Sequence, residues 1–516
     1  MTTCFLGVDI GTYSSKGVLV RADGLLLAEH TVEHDLSLPR PGWVEHDAEG
    51  VWWHDFVACT RALLAQSGID ASSIAAIGVS AISPAIVPLD GAGAPLRPAI
   101  LYGIDTRATA QIAALHAALG GEDAFFARYG AQLSSQSVAP KLRWIRENEP
   151  DVWARTAHIL SAEGYIVWKL TGEAVLDIYD ATAYAPLFDP TQRAWDSSLA
   201  DLVAPVEWMA RPTWSCAVAG EVHAAAAAET GLRAGTPVIT GTADAAAEAI
   251  SAGLAAPGDL MIMYGSSIFF IARTDHLPRT PRFWGTAFLE PGSYALAGGM
   301  STAGSLTRWF RDTLGQPELA AEAAGEGAAY GALAQLAAAA PPGANGLIAL
   351  PYFAGERTPL NDPDARGTWF GLTLSTSRAD LYRALLESVA YGICHNLEVM
   401  REDGVIAQRV LAIGGGTRNL PWMQMVSDVT GIEQTIPAQQ IGASYGDAML
   451  AAVGVGHFSS TAEAVHAWVQ IGRVVRPDAA THARYAPYYE LYRQLYTQTA
   501  STMHALSQLA RGPYAN

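Results

Sequence analysis

Asp9-Ile10-Gly11-Thr12-Tyr13-Ser14-Ser15-Lys16 is the stretch on which the reading of this chain turns. An apolar run, residues 5–10, leads into it, and Gly17-Val18-Leu19-Val20 leads out. Apolar runs bounded by Gly and hydroxyl residues predict strand, turn, strand. Gly11 lets the backbone turn sharply and approach a ligand closely. Thr12, Ser14 and Ser15 offer hydroxyls to phosphate oxygens, and Lys16 offers a point charge. Asp9, at the end of the first strand, is placed to hold the water shell of Mg²⁺. An ordinary β-hairpin with a polar turn has the same composition, because short Gly-rich matches recur by chance. The segment therefore needs support from elsewhere in the chain.

Support comes in order along the sequence. Residues 25–27 predict a third strand, 48–64 a helix, and 74–79 a buried strand. Residues 237–241 form a short strand that ends at Gly241-Thr242, and an Ala-rich helix opens at Asp244 and runs to 252. An acid at that place is favoured by the helix dipole. It is equally placed to take the proton of an attacking hydroxyl, the one acid–base demand of phosphoryl transfer. Residues 259–271 repeat strand, Gly-hydroxyl turn, strand, with Gly265-Ser266-Ser267 at the turn. Residues 410–413 run into Gly414-Gly415-Gly416, with Asn419 just before a helix over 421–429, an arrangement suited to anions or nucleotides. Strands alternating with helices predict an α/β architecture. Two hairpins of one type, one per half, predict two related domains, 1–252 and 253–516.

The bulk numbers exclude some partners. The 516 residues are 50% hydrophobic and 16% charged, with a net charge of -18. A field of that sign disfavours nucleic acid and anionic membranes, whereas a local nest of backbone N–H groups still holds phosphate. Cys4, Cys59, Cys216 and Cys394 show no metal-ligand spacing and predict reduced thiols in a cytoplasmic protein. No apolar run is long enough to cross a bilayer, and no signal peptide is visible at the first residues.

Taken together the segments resemble the FGGY family of carbohydrate kinases, nearest its xylulose kinase-like branch. Residues 139–148 are similar to the family's first signature from Lys141 onward. Gly367-Thr368-Trp369-Phe370-Gly371-Leu372, with Asp380-Leu381 and residues 384–387, resembles the second. That block reads as structural: Ser377 and Asp380 have capping-box spacing, and Leu381, Leu385 and Val389 form a helix stripe.

The resemblance implies two actin-like (ribonuclease H-like) ATPase domains facing a central cleft, with ATP and Mg²⁺ as cofactors. It implies Asp244 as the base, beside Asp9 as the metal residue read from its place at the strand end. Thr12, Ser14, Lys16, Gly265 and Ser266 are the implied phosphate contacts, and Gly304, Arg308, Gly416 and Asn419 the nucleotide contacts. The implied partner is a small sugar or polyol, and a homodimer is compatible with it.

Ser83, Pro84, Asp105 and Gln136 fall with Asp244 in the acceptor pocket. Ser83-Pro84 stands where glycerol kinases have Arg-Glu and xylulose kinases Met-His, and Gln136 stands where glycerol kinases have Tyr. Asp105 and Arg107 resemble an Asp-x-Arg segment near the sugar, though a surface ion pair has the same appearance. The pocket speaks against glycerol. It leaves a pentulose, another ketose, a sugar acid, a tetritol or a furanone open. A nucleotide-driven switch with no acceptor is the alternative from another class.

Overall fold

The computed structural model describes residues 3–510. Two seven-stranded sheets form its frame. In the first, β1 (Cys4–Ile10) pairs antiparallel with β2 (Ser14–Arg21), and β2 with β3 (Leu26–Glu33). On its other side β1 pairs parallel with β4 (Ile74–Ala81). Beyond β4 lie β5 (Val218–Glu221) and β6 (Pro237–Ile239), and β7 (Thr242–Ala243) pairs with the end of β4. Helix α1 (His54–Ser67) packs on β2 and β3. The helix expected over 48–64 is thus in two parts, a π-helical turn Ala48–Trp53 and then α1. Helix α2 (Asp244–Ser251) follows β7 directly.

The second sheet repeats the plan. Strand β8 (Asp259–Tyr264) pairs antiparallel with β9 (Ile268–Thr274). Strands β10 (Trp284–Ala287) and β11 (Tyr294–Met300) extend that side. On the other side β8 runs parallel to β12 (Arg409–Ile413), then come β13 (Gln434–Pro437) and β14 (Ile471–Val475). Helices α3 (Gly304–Leu314), α4 (Arg378–Glu402) and α5 (Leu420–Thr430) belong to this half. Ser377 and Asp380 form the expected capping box at α4. The central strands read as continuous apolar runs because both faces are covered.

Helix α6 (Ala443–Gly454) ties the halves together. It lies against β1, β4 and α2, although it follows the second sheet's β13 in sequence. Gly7 and Gly78 are register partners in β1 and β4. A Cβ on Gly7 would stand 1.9 Å from the Ser444 carbonyl oxygen, and one on Gly78 2.2 Å from that of Asp447. Likewise a Cβ on Gly446 would stand 2.0 Å from the Ala247 carbonyl oxygen. The glycines remove side chains where backbones must touch. Phe5, Ala76, Ile250, Met261, Leu411 and Met449 then form one dry cluster spanning both sheets. Among the described residues no helix is long and apolar enough to cross a membrane.

Candidate active site

Register builds the site. Asp9 pairs with Lys16 across β1 and β2 and with Ser80 across β1 and β4, and Ser80 pairs with Thr242 in β7. Register partners point to the same face, so four polar side chains form a row at the C-terminal ends of the parallel strands. Asp244 opens α2 two residues beyond that row. Helix α6, seated by the glycines, brings Asp447 to the same place. Ser80 Oγ lies 3.1 Å from Asp9 Oδ1 and 2.8 Å from Asp447 Oδ2.

One hydroxyl proton cannot serve two carboxylates at once. Asp447 Oδ1 is buried with no partner. Burial first, and then Asp244 and Glu248, push the Asp9 carboxyl well above the usual range; burial and Asp9 do the same to Asp447. Burial raises Asp244 to about 6, while burial and Asp244 raise Glu248 to about 7. Such a set is deficient in positive charge, because Lys16 Nζ is engaged by Glu29 at 3.1 Å and by the Ile441 carbonyl at 2.8 Å. All the acids offer hard oxygen ligands and one oxygen is orphaned, so these residues fit Mg²⁺.

Each Gly-hydroxyl turn closes on a backbone hydrogen bond from its glycine. Gly11 N–H donates to the Ser14 carbonyl at 2.9 Å, and Gly265 N–H to the Ser267 carbonyl at 3.0 Å. Thr12 Oγ1 lies 3.0 Å from the Tyr102 hydroxyl. Side chains alternate along β2, so Ser14 and Lys16 share a face and Ser15 takes the other. Ser15, expected at phosphate, is buried instead and donates to Asp55 at 2.8 Å. His34 Nδ1 lies 2.7 Å from the same carboxylate, and its Nε2 3.1 Å from the Gly11 carbonyl.

The second turn is backed by the start of α3. Ala303 N–H donates to the Ser266 carbonyl at 2.9 Å and Gly304 N–H to that of Gly265 at 3.0 Å. Gly304 is required there, because a Cβ would lie 2.6 Å from the Gly265 carbonyl oxygen. Arg308 is exposed one turn further along α3. Gly416 packs on Tyr264 and Trp422. The side chain of Asn419 caps α5, accepting from Trp422 N–H at 3.2 Å.

The acceptor side differs from expectation at one residue. Asp105 is 1% exposed, and both its oxygens are taken inside the protein, by Arg107 at 2.7–3.0 Å and by Val44 N–H at 2.7 Å. Arg107 also binds Glu45 at 2.8 Å and lies over the Trp43 and Trp144 rings. The segment is not a surface ion pair, since Asp105 and the Arg107 guanidinium are both buried. It is a buried brace. Gln136 Oε1 accepts from Gly103 N–H at 2.9 Å. Ser83 Oγ donates to the buried Asp180, and Pro84 beside it is buried.

Glu248, Asp447 and Ser80 beside Asp9 and Asp244, and Asp180 behind Ser83, are residues that the sequence reading missed. Glu248 stands one helical turn after Asp244, on the same face, and that spacing was a usable signal. The other three are brought in by tertiary packing and carry no local pattern.

The N-terminal-domain model of the FGGY family of carbohydrate kinases matches residues 4–251, and its C-terminal-domain model matches residues 260–455. A xylulose kinase of Bacillus subtilis is 29% identical over 511 residues, covering 98% of this chain and 99% of its own. A glycerol kinase of Ectopseudomonas mendocina is 30% identical over 500 residues, covering 93% and 96%. The crystal structure of xylulose kinase from Rhodospirillum rubrum superposes with a TM-score of 0.89 at 36% identity, over 97% of this chain and all of that one. The duplicated sheets, the paired Gly-hydroxyl turns and both family matches agree: the chain belongs to the FGGY family of carbohydrate kinases and uses ATP to phosphorylate a carbohydrate hydroxyl.

Proposed function

We propose that the acceptor is a pentulose-type ketose and that Asp244 takes the proton of the hydroxyl that is phosphorylated. The observation that carries the reading is the position of Asp244, at the start of α2 and beside the row formed by Lys16, Asp9, Ser80 and Thr242. Burial holds its carboxyl at about 6, near the range where a general base works at neutral pH.

Asp9 is the residue proposed to hold the water shell of Mg²⁺, with Asp447 and Glu248 adding negative charge around it. When bound, the ion supplies charge neutralisation at the transferring phosphoryl group. Thr12, Ser14 and Lys16 orient the phosphates from the first turn, and Gly265 and Ser266 from the second. Gly304, Arg308, Gly416 and Asn419 line the nucleotide side; Asn419 contributes there with its amide nitrogen, since its oxygen caps α5. Asp244 removes the proton as the acceptor oxygen attacks the γ-phosphorus, and the bond to the ADP oxygen breaks. Two cytoplasmic domains, 1–252 and 253–516, closing on both substrates exclude water from this step.

The ketose reading draws on the relatives. The Bacillus subtilis and Rhodospirillum rubrum proteins are named xylulose kinases and match nearly end to end. Ser83 and Gln136 face the acceptor in this reading, with neither a charged clamp nor a His donor. Asp105 is assigned to bracing the pocket. A polyol is the second reading, favoured by the similarity to a glycerol kinase.

The test is ADP release against D-xylulose, D-ribulose, L-ribulose, glycerol, erythritol and gluconate. A pentulose is expected to give the highest kcat/KM. A polyol or sugar acid ahead of every pentulose refutes the acceptor, and ADP release independent of all acceptors favours a nucleotide switch.

A further inference from the structure

Behind the acceptor wall lies a second group of acids that the reaction does not use. Glu163 belongs to the helix Ala162–Thr171, Asp180 to the short helix Ile178–Ala181, and Asp177 ends the strand Val175–Asp177 and caps that helix. Their exposures are 0%, 0% and 2%. Each contributes one oxygen to a set lying within 4.8 Å of one another.

The surrounding donors do not satisfy this charge. Ser161 Oγ donates to Glu163 Oε1 at 2.5 Å, and Ser83 Oγ donates to Asp180 Oδ1. Asp177 accepts from Asp180 N–H at 3.1 Å, from Ser215 Oγ at 3.0 Å and from Thr242 Oγ1 at 2.7 Å. Glu163 Oε2 and Asp180 Oδ2, both fully buried, have no partner at all. Lys141, whose charge acts on Asp180, gives its ammonium to the Leu101 carbonyl at 2.7 Å. Burial also pushes that ammonium down to about 7. Three buried acids whose neighbouring ammonium is committed elsewhere form a costly arrangement in a dry interior until protons or a cation neutralise them.

We propose that Glu163, Asp177 and Asp180 form a structural site for a dehydrated, calcium-sized divalent cation. All the ligand atoms are oxygens, which select hard cations. Ca²⁺ accepts irregular sets of protein oxygens, whereas Mg²⁺ sheds water reluctantly and demands octahedral geometry. The site reaches both walls of the active centre. Asp177 holds Thr242, two residues before Asp244, and Asp180 holds Ser83. These acids are positioning residues, fixing the base-bearing segment and the acceptor wall from behind.

The experiment uses the full chain, stripped with EDTA and free of nucleotide, near neutral pH. CaCl₂ is titrated while Tm is followed, and Tb³⁺ luminescence sensitised by the adjacent buried Tyr184 is read in parallel. One equivalent is expected to bind and to raise Tm by several degrees, with Mg²⁺ giving a smaller rise. Asp9→Asn is expected to bind as the wild type does. Glu163→Gln is expected to weaken binding at least about tenfold, since loss of even an outer contact costs that much.

Should Glu163→Gln not fold, elemental analysis of the wild type and of Asp9→Asn after gel filtration decides the point. Retention of one Ca²⁺ in both supports the site. Absence of binding at millimolar CaCl₂ overturns the proposal and leaves shared protons as the neutralising charge. Binding abolished by Asp9→Asn, or Mg²⁺ equal to Ca²⁺, also overturns it. Each outcome is independent of which acceptor the enzyme phosphorylates.

Discussion

Gly78→Ala is the substitution that probes most sharply how the site is assembled. Its methyl group would fall 2.2 Å from the Asp447 carbonyl oxygen, 2.8 Å from the carbonyl carbon and 3.2 Å from the Cα. All three atoms are backbone, so no side-chain rotation relieves the clash. Restoring ordinary contact moves α6 by roughly 1 Å away from β4. Overpacking of this kind costs about 1–3 kcal/mol, and the upper end is expected here because a whole helix must shift.

The same shift carries Asp447 away from Ser80 and Asp9, and Ala443 N–H away from the Glu248 carboxyl that accepts from it. A displacement of roughly 1 Å at catalytic groups lowers turnover by about 100-fold. Chemical denaturation measures the first effect, and kcat for acceptor-dependent ADP release the second. Gly91→Ala is the control. A Cβ at Gly91 meets nothing within 4 Å, so its stability should stay within about 0.5 kcal/mol of wild type. Gly78→Ala with wild-type denaturation and wild-type kcat would refute the claim that close backbone contact seats α6 and places Asp447.

Proton counting tests the electrostatics. The free protein holds Glu248 at about 7 and Asp244 at about 6, with Asp9 and Asp447 also raised, so it carries protons that the unperturbed acids would have lost. A divalent cation seated among these oxygens lowers all four pKa values, so Mg²⁺ binding should release protons between pH about 6 and 7. Binding heats in two buffers of different ionisation enthalpy measure this, and net proton uptake would contradict it. Asp105→Asn should break a buried ion pair and cost about 3–5 kcal/mol in unfolding. The Michaelis constant of the folded variant for the acceptor should be nearly unchanged; a large rise in that constant with normal stability would return Asp105 to the sugar.

The parts of the site visible in the sequence were those written in local patterns. The turns at Gly11 and Gly265 follow from strand, Gly-hydroxyl turn and strand. Asp244 follows from a short strand meeting an Ala-rich helix, and the cap at Ser377 from its spacing to Asp380. Ser15 was misplaced although strand alternation predicts that it faces away from Ser14 and Lys16. Nothing local to Asp105 shows that Val44 N–H, 61 residues earlier, takes one of its oxygens.

Nothing local in Ala443-Ser444-Tyr445-Gly446-Asp447 says that this helix lies against β1 and β4, more than 350 residues earlier. That placement depends on Gly7, Gly78 and Gly446 together, and single glycines in strands and helices have many uses. The buried acids at Glu163, Asp177 and Asp180 were hidden for the same reason. Each is an ordinary helix-start or turn residue in sequence, and only packing joins them.

Asp244→Asn probes the proposed role of Asp244 in accepting the proton of the attacked hydroxyl. The substitution keeps the shape and removes the base. Measured with the preferred acceptor, kcat is predicted to fall by about 10²–10⁴-fold while the dissociation constant for MgATP changes little. The wild-type kcat/KM should fall on the acid side as Asp244, held at about 6 by burial, takes up a proton. The residual activity of the variant should lack that limb. An Asp244→Asn enzyme that turns over at a near-normal rate with the same acid limb would remove Asp244 from the role of base.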